Sequence, residues 1–338
     1  MAEIQKYFDE FNQLIRLARF EENADLREKR DMLVKELREN LEAGVPTFER
    51  FDQGSYAMNT GVRPKNGNYD IDVGLIFDCE ADKYPDPVAL KLKVKKALER
   101  HNRTVRIRRA CVTVEYMRDG EVDYHVDLAL YVKRLDGVGL DLAVGRESSG
   151  AEKRKWEQND PKGLIEIITG RFEDEQAAQM RHIIRYLKRW RDHKFSPGTG
   201  PISVLLTIAT FHWLVPQIDY FTKKANDLQA LSMLVKAILA QFTTTYDSQG
   251  AIVRRLVVRS PVVPREDLLA GATDVQMTAL HSKFEELKNA LDLATQEPLP
   301  EKACAILAKQ FGDEFPVPSP ENTAKTVRKP YVTSGQSA

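Results

Sequence analysis

Asp70 and Asp72 open an otherwise apolar run, Val73 to Phe77, and no other stretch limits the folding choices of this chain so strongly. Side chains at i and i+2 of a strand share one face, about 6.6 Å apart along the chain. A run this apolar reads as a buried strand, so both carboxylates stand at the mouth of a core. Like charges placed there repel each other unless a cation lies between them. Upstream, a short strand over residues 47–53 ends in Gly54-Ser55, and a polar loop with Gly61, Pro64 and Gly67 leads on to the aspartates. Glycine lets backbone N–H groups approach a phosphate closely, and serine caps a following helix while offering its hydroxyl to an anion. The stretch from Gly54 to Phe77 therefore predicts a Mg²⁺-holding carboxylate pair facing a phosphate cradle.

A third carboxylate follows in a hairpin. Alternating runs over Cys111–Tyr116 and Val122–Val132 flank Asp119-Gly120, a strong turn signal. In the second run Asp123, His125 and Asp127 share a face, and Asp127 leads directly into apolar sequence. Asp123 and His125 read as exposed hairpin residues. Asp127, brought beside Asp70 and Asp72, would complete a site for paired Mg²⁺ ions of the kind that serves in-line phosphoryl displacement. Arg63 and Lys65, in the loop between the motif halves, are placed to reach a phosphate. Arg106, Arg108 and Arg109 read equally as a solvated sheet edge.

The rest of the chain divides by texture. Amphipathic helices are expected over residues 2–20 and from about Asp25 to Glu42, the latter stopped by Gly44 and Pro46. Another runs from Pro87 to about His101, and a short strand is expected over Gly139–Val144. After Ser148-Ser149-Gly150, strand-like alternation stops and helices follow at about Asp174–Lys194, Pro201–Val215, Lys223–Phe242, Arg265–Thr295 and Glu301–Phe311. The expected division is a core of mixed sheet and helices over 1–150, a helical domain over 151–315 and a flexible tail over 316–338, with a cleft between the first two.

Composition closes off other classes. Lys plus Arg and Asp plus Glu stand at 50 each, so no global field draws the chain to nucleic acid or membrane. Cys79, Cys111 and Cys304 are widely spaced and fit neither a disulfide framework nor a zinc site, which favours a reducing cytoplasm. The opening MAEIQKYFDEFNQ lacks the apolar core of a signal peptide, and no stretch has the ~20 apolar residues of a membrane span.

Together, Gly54-Ser55, Asp70-Ile71-Asp72 and Asp127 within HVDLALYV resemble the motif set of the polymerase-β-type nucleotidyltransferases. Within them, the chain resembles the cGAS/DncV-like nucleotidyltransferases of bacterial antiphage defence. The likeness extends through KRKWEQNDPKGL (Lys153 to Leu164), RYLKRWRD (Arg185 to Asp192) and GPISVLLTIAT (Gly200 to Thr210). On the residues alone, Lys188 reads as a surface lysine beside an apolar stripe, Trp190 equally as core packing, and Ser203 as a helix cap. The resemblance implies instead that Lys188 and Ser203 bind the donor triphosphate with Gly54 and Ser55. It also implies an α+β, two-lobed fold with a mixed-sheet N-terminal lobe, a C-terminal helical bundle and the active site between them. Asp70, Asp72 and Asp127 would be the catalytic, metal-binding residues, with Mg²⁺ or Mn²⁺ as cofactor. The implied activity joins ATP, GTP or other nucleoside triphosphates into a cyclic di- or trinucleotide messenger, with pyrophosphate release, that reaches its effector by diffusion. Rival readings are transfer to another acceptor (a linear oligoadenylate, a tRNA end or an antibiotic) and a non-catalytic nucleotide-binding scaffold. No nucleic-acid activator is expected, since the metal-ligand cluster of the DNA-activated animal branch is missing. In some members a ubiquitin-activation-like partner acts on the C-terminal tail, and Gly335-Gln336-Ser337-Ala338 is the segment it would engage here.

Overall fold

The computed structural model describes residues 3–17, 22–65, 69–100, 103–118, 121–246 and 249–320. The predicted strands build one mixed sheet. β1 (Phe48–Asp52), β2 (Tyr69–Phe77), β5 (Glu121–Lys133), β4 (Val112–Arg118) and β3 (Arg103–Ile107) lie side by side in that order. β6 (Leu140–Val144) takes up the end of β5 that β4 leaves unpaired, and β7 (Lys155–Asn159) pairs with β6. Only β2 and β5 run parallel, and their register sets Asp72 opposite Asp127 and Asp70 opposite His125.

Period-2 alternation sorts the two faces of this sheet. Ile71, Val73, Leu75 and Phe77 point to one side, together with Val126, Leu128, Leu130 and Val132. There they meet Leu33, Val34 and Leu37 of α2 (Glu22–Asn40) and Leu90, Val94 and Leu98 of α4 (Pro87–Leu98). α4 starts where Asp86 accepts a hydrogen bond from Val88 N at 2.9 Å, with Pro87 in the first turn, as a helix start requires. The other face carries Asp70, Asp72, His125 and Asp127 at one end. At the other end a small cluster of Ile76, Ala129, Tyr131, Leu142 and Val144 closes it.

The second core is helical. α6 (Asp174–Lys194) runs through it, surrounded by α7 (Ser203–Trp213), α8 (Asp227–Ala240), α9 (Asp274–Gln296) and α10 (Pro300–Phe311). Helices were expected at these places, but α9 begins nine residues later than the apolar pattern implied. The chain before it stays irregular, held by Leu268 N to Val258 O (2.9 Å) and Ser260 N to Glu266 O (2.9 Å).

Strand-like pairing does not stop at residue 150. β7 lies beyond it, tied back by Trp156 Nε1 donating to Tyr84 O at 2.8 Å, and β8 (Thr243–Tyr246) pairs with β9 (Ile252–Arg255) as a hairpin within the helical half. Nor do the cores part there. α1 (Gln5–Ile15) buries Tyr7, Phe8, Phe11 and Ile15 among the helices of the C-terminal lobe. Phe8 packs edge-on against Phe315 (5.2 Å between centroids), and Phe11 stacks on Tyr186 at 5.4 Å. Of the predicted tail, residues 321–338 lie outside the described residues, as does the Asp119-Gly120 turn.

Asp227 fixes α6 against its neighbours. Fully buried, its carboxylate accepts from Gln179 Nε2 (3.0 Å) and Tyr186 Oη (2.9 Å), with His182 Nδ1 at 3.3 Å; its own N–H donates to Gln5 Oε1 (2.8 Å). Burial alone would raise its pKa, but the bonds from His182 and Gln179 hold it below the usual carboxylate value of 3.8. Its stabilisation is therefore present above about pH 4 and lost as pH falls through the lowered value. Asp227→Ala leaves several buried donors unpaired and is expected to cost about 3 kcal/mol. The urea midpoint of unfolding at pH 7, compared with wild type, checks this.

Candidate active site

The carboxylates gather at the start of β2 and the middle of β5, with β2 lying against α3, the single helical turn Gly54–Ala57. Gly54 has φ +67°, and a Cβ there would stand 2.0 Å from Asp72 Oδ2. Glycine is thus required twice over, for its backbone and for the room it leaves a carboxylate. Gln53 N donates to Asp72 O at 3.3 Å, which brings the turn onto the strand.

Three donor groups, on Asp70, His125 and Asp127, have ligand atoms within 4.8 Å of one another. His125 Nε2 lies 3.3 Å from Asp70 Oδ1, and the two are cross-strand partners. His125 is therefore half-buried in the site and is not an exposed hairpin residue. The Asp123 side chain lies outside what the structure describes. Asp127 Oδ1 accepts from Thr113 Oγ1 at 2.5 Å, a bond made across the β4–β5 register.

The electrostatics are those of a crowded anion site. Burial, then Asp70 and Asp127, pushes Asp72 up to about 7. Asp127 is also raised, chiefly by burial, while the Thr113 bond pulls it back. The bond to Asp70 raises His125 above its ordinary value, against the opposing effect of burial. Oxygen-rich donors, two of them with raised pKa values, suit a hard divalent cation, which would relieve their repulsion. The acidic cluster could hold a metal ion.

The facing wall comes from the helical lobe. A cleft of about 440 Å³ is lined by Gly54, Ser55, Asp70 and Asp72 on one side and by Lys188, Arg191, Asp192, Ser203 and Thr207 on the other. A larger hollow of about 940 Å³ lies between α1 and α8 and contains none of these residues. Ser203 opens α7 and accepts a hydrogen bond from Arg191 Nη1.

Lys188 is not a surface lysine. It is almost wholly buried, and its Nζ donates to Thr60 O (3.0 Å) and Thr60 Oγ1 (3.2 Å). Thr60 N in turn donates to Ser55 O at 2.8 Å. Burial, aided by Arg191 and Arg185, lowers the Lys188 pKa to about 7. Lys188 is thereby a strut between α6 and the Ser55 turn. Trp190 is core, stacked on Phe284 at 4.9 Å.

Of the remaining basic residues, Arg63 lines the cleft, whereas Lys65 is turned toward Asp313 at 3.9 Å. Arg106 and Arg108 pair with Glu115, and Arg109 with Glu157. Thr60, Thr113 and Arg191 went unremarked as site residues in the sequence, and His125 was read as exposed. For Arg191 the available signal was its place one turn beyond Lys188; for His125 it was the face shared with Asp127; for Thr113 it appears only once strand register is known.

This architecture, a carboxylate-bearing mixed sheet facing a helical lobe across a cleft, is the two-lobed nucleotidyltransferase fold. Residues 48–131 match the family described as cyclic GMP-AMP synthase DncV-like, nucleotidyltransferase domain. Among solved structures, Vibrio cholerae DncV cyclic AMP-GMP synthase aligns with a TM-score of 0.67 at 18% identity, covering 93% of this chain and 97% of that one. E. coli MS115-1 CdnC, solved with ATP, gives 0.65 at 18% identity over 92% and 98%. The Bradyrhizobium diazoefficiens CD-NTase CdnG, in complex with GTP, gives 0.66 at 18% identity over 92% and 96%. These matches establish the overall fold of both lobes.

Because the Asp72 pKa is raised on folding from 3.8 to about 7, the metal-free folded state binds more protons than the unfolded state between those values. Stability of the metal-free protein is therefore expected to fall as pH rises through that window. Asp72→Asn should flatten the slope and gain on the order of 1–2 kcal/mol at pH 8. Thermal melts in chelator from pH 5 to 8 measure it.

Proposed function

We propose that this chain is a Mg²⁺-dependent nucleotidyltransferase that joins nucleoside triphosphates into a cyclic di- or trinucleotide, releasing pyrophosphate at each transfer. The observation that carries this reading is the in-register placement of Asp72 and Asp127, with Asp70 beside them, against the Gly54-Ser55 turn and across the cleft from Ser203. The family match over residues 48–131 supports it, as do structural neighbours solved with ATP, with GTP and, for DncV, with the linear intermediate pppA(3′,5′)pG.

Asp70, Asp72 and Asp127 would hold the Mg²⁺, with His125 beside them. When bound, the metal supplies charge neutralisation at the reacting phosphate and lowers the pKa of the attacking hydroxyl. The chain's own residues do the rest. Gly54 leaves room for the Asp72 carboxylate, and Ser55 offers its hydroxyl to the triphosphate. Thr113 donates to one oxygen of Asp127 and so orients the carboxylate that would draw the proton from the attacking ribose hydroxyl. Lys188 and Ser203 form the donor wall, Lys188 by holding Thr60 and through it the Ser55 turn.

A linear product that turns over in the cleft brings its own triphosphate to its free hydroxyl, which closes the ring. Such a product suits a diffusible messenger in antiphage signalling in the bacterial cytoplasm. ATP and GTP are the favoured substrates, and the C-terminal residues to Ala338 are the segment for a ubiquitin-activation-like partner.

Incubation with labelled ATP, GTP, CTP and UTP and Mg²⁺ should give phosphatase-resistant products identifiable by mass spectrometry. Asp72→Asn should abolish them. Products that remain phosphatase-sensitive, or that appear only with an added acceptor, would instead assign the site to linear or acceptor-directed transfer. Tight nucleotide binding with no pyrophosphate release would make it a scaffold. Gly54→Ala strains the backbone and displaces Asp72, so kcat should fall about 100-fold or more with little loss of folded protein.

A further inference from the structure

Resting on the reading of the cleft as a nucleoside-triphosphate site, we propose that Arg191 is the cation that receives the triphosphate, and that Asp192 holds its guanidinium until the nucleotide arrives. Lys188, the residue that resemblance assigns to the phosphates, has its Nζ committed to two oxygens of Thr60 and almost no exposed surface. Arg191 follows one turn later on the same helix, lines the same cleft and keeps part of its side chain exposed. Its Nη1 donates to Ser203, and its Nε donates to Asp192 Oδ1 at 2.9 Å.

The pairing with Asp192 is local, like that of Arg30 with Asp31 in α2. Adjacent residues of a helix do not face each other, so the guanidinium must fold back along its own helix to meet its neighbour. Gly200 packs close beside it: a Cβ there would stand 2.9 Å from the Phe195 side chain and 3.2 Å from Arg191 Cγ. A carboxylate in the wall of a polyphosphate cleft is unfavourable for the ligand unless a cation neutralises it. Here Asp192 is that carboxylate and Arg191 its cation. A phosphate group offers the same fork geometry as a carboxylate and more charge, and guanidinium stays ionised at every working pH. An arriving triphosphate thus competes with Asp192 for Arg191, while Ser203 keeps the guanidinium at the cleft wall.

Calorimetric titration with inorganic tripolyphosphate, and with ATP and GTP in the presence of Mg²⁺, tests the exchange. Arg191→Gln should weaken tripolyphosphate binding about 10- to 100-fold, and Arg191→Lys should recover part of the loss. Asp192→Asn should tighten binding several-fold in the wild-type background but have little effect in the Arg191→Gln background, a coupling read from the double-mutant cycle. Thermal melting of each variant separates lost binding from lost fold, and Arg191→Lys keeps the charge if Arg191→Gln fails to fold.

Binding by Arg191→Gln within twofold of wild type would overturn the assignment. So would Asp192→Asn tightening that persists undiminished without Arg191, because that outcome reports only the removal of a negative charge. If wild type binds neither tripolyphosphate nor nucleotide, the reading of the cleft itself falls. Equal binding by wild type and Arg191→Gln removes only the role of Arg191.

Discussion

Mutual repulsion among carboxylates on adjacent parallel strands is the constraint around which this structure is arranged. β2 and β5 place Asp72 and Asp127 at the same level, and nothing in the sheet separates them. The chain tolerates this by surrounding the cluster with compensation. His125 meets Asp70, Thr113 donates to Asp127, and Gly54 yields space to Asp72. The opposite face of the same strands is wholly apolar and packs on α2 and α4, which supplies the burial that holds the carboxylates in position. Stability is placed on one face and strain on the other, a division common at sites that bind charge.

The parts of this arrangement that were legible in sequence are those carried by local periodicity. Asp70, Asp72 and Asp127 could be read because a strand alternates every second residue and each motif opens an apolar run. The long helices were legible for the same reason at their own period. What failed depended on partners distant in sequence. His125 was read as exposed because its partner Asp70 sits on another strand. Lys188 looked like a surface residue because Thr60, which buries its charge, lies 128 residues earlier in the chain. β7 and β8 are short, largely polar edge segments (KWEQN and TTTY) that carry almost no apolar alternation, and pairing alone defines them.

The two walls of the cleft are also mechanically linked. Lys188 reaches from α6 to Thr60, Thr60 to Ser55, and the Ser55 turn rests on the strand that bears Asp72. Arg185, one turn earlier on α6, adds a second tie, donating to Asn12 Oδ1 at 2.8 Å and to Asn59 O at 2.7 Å. A shift of α6 is therefore felt at the Gly54-Ser55 turn through a short run of hydrogen bonds. The helical lobe is more than a lid over the sheet, because it determines where the turn stands.

α1 gives the architecture an order in time. Its aromatic face belongs to a core whose other members run from Tyr186, in the middle of the described chain, to Phe311 and Phe315 near its end. Tyr186 Oη donates to Phe8 O across 178 residues of sequence. During synthesis the stripe of this helix stays incompletely covered until Phe311 and Phe315 have left the ribosome. The sheet lobe can form before then, but the helical core behind the far wall of the cleft is incomplete until α10 packs against it. A nascent chain thus carries its carboxylates well before the helical core that backs the cleft is complete, because α1 finds its full packing only beside α10.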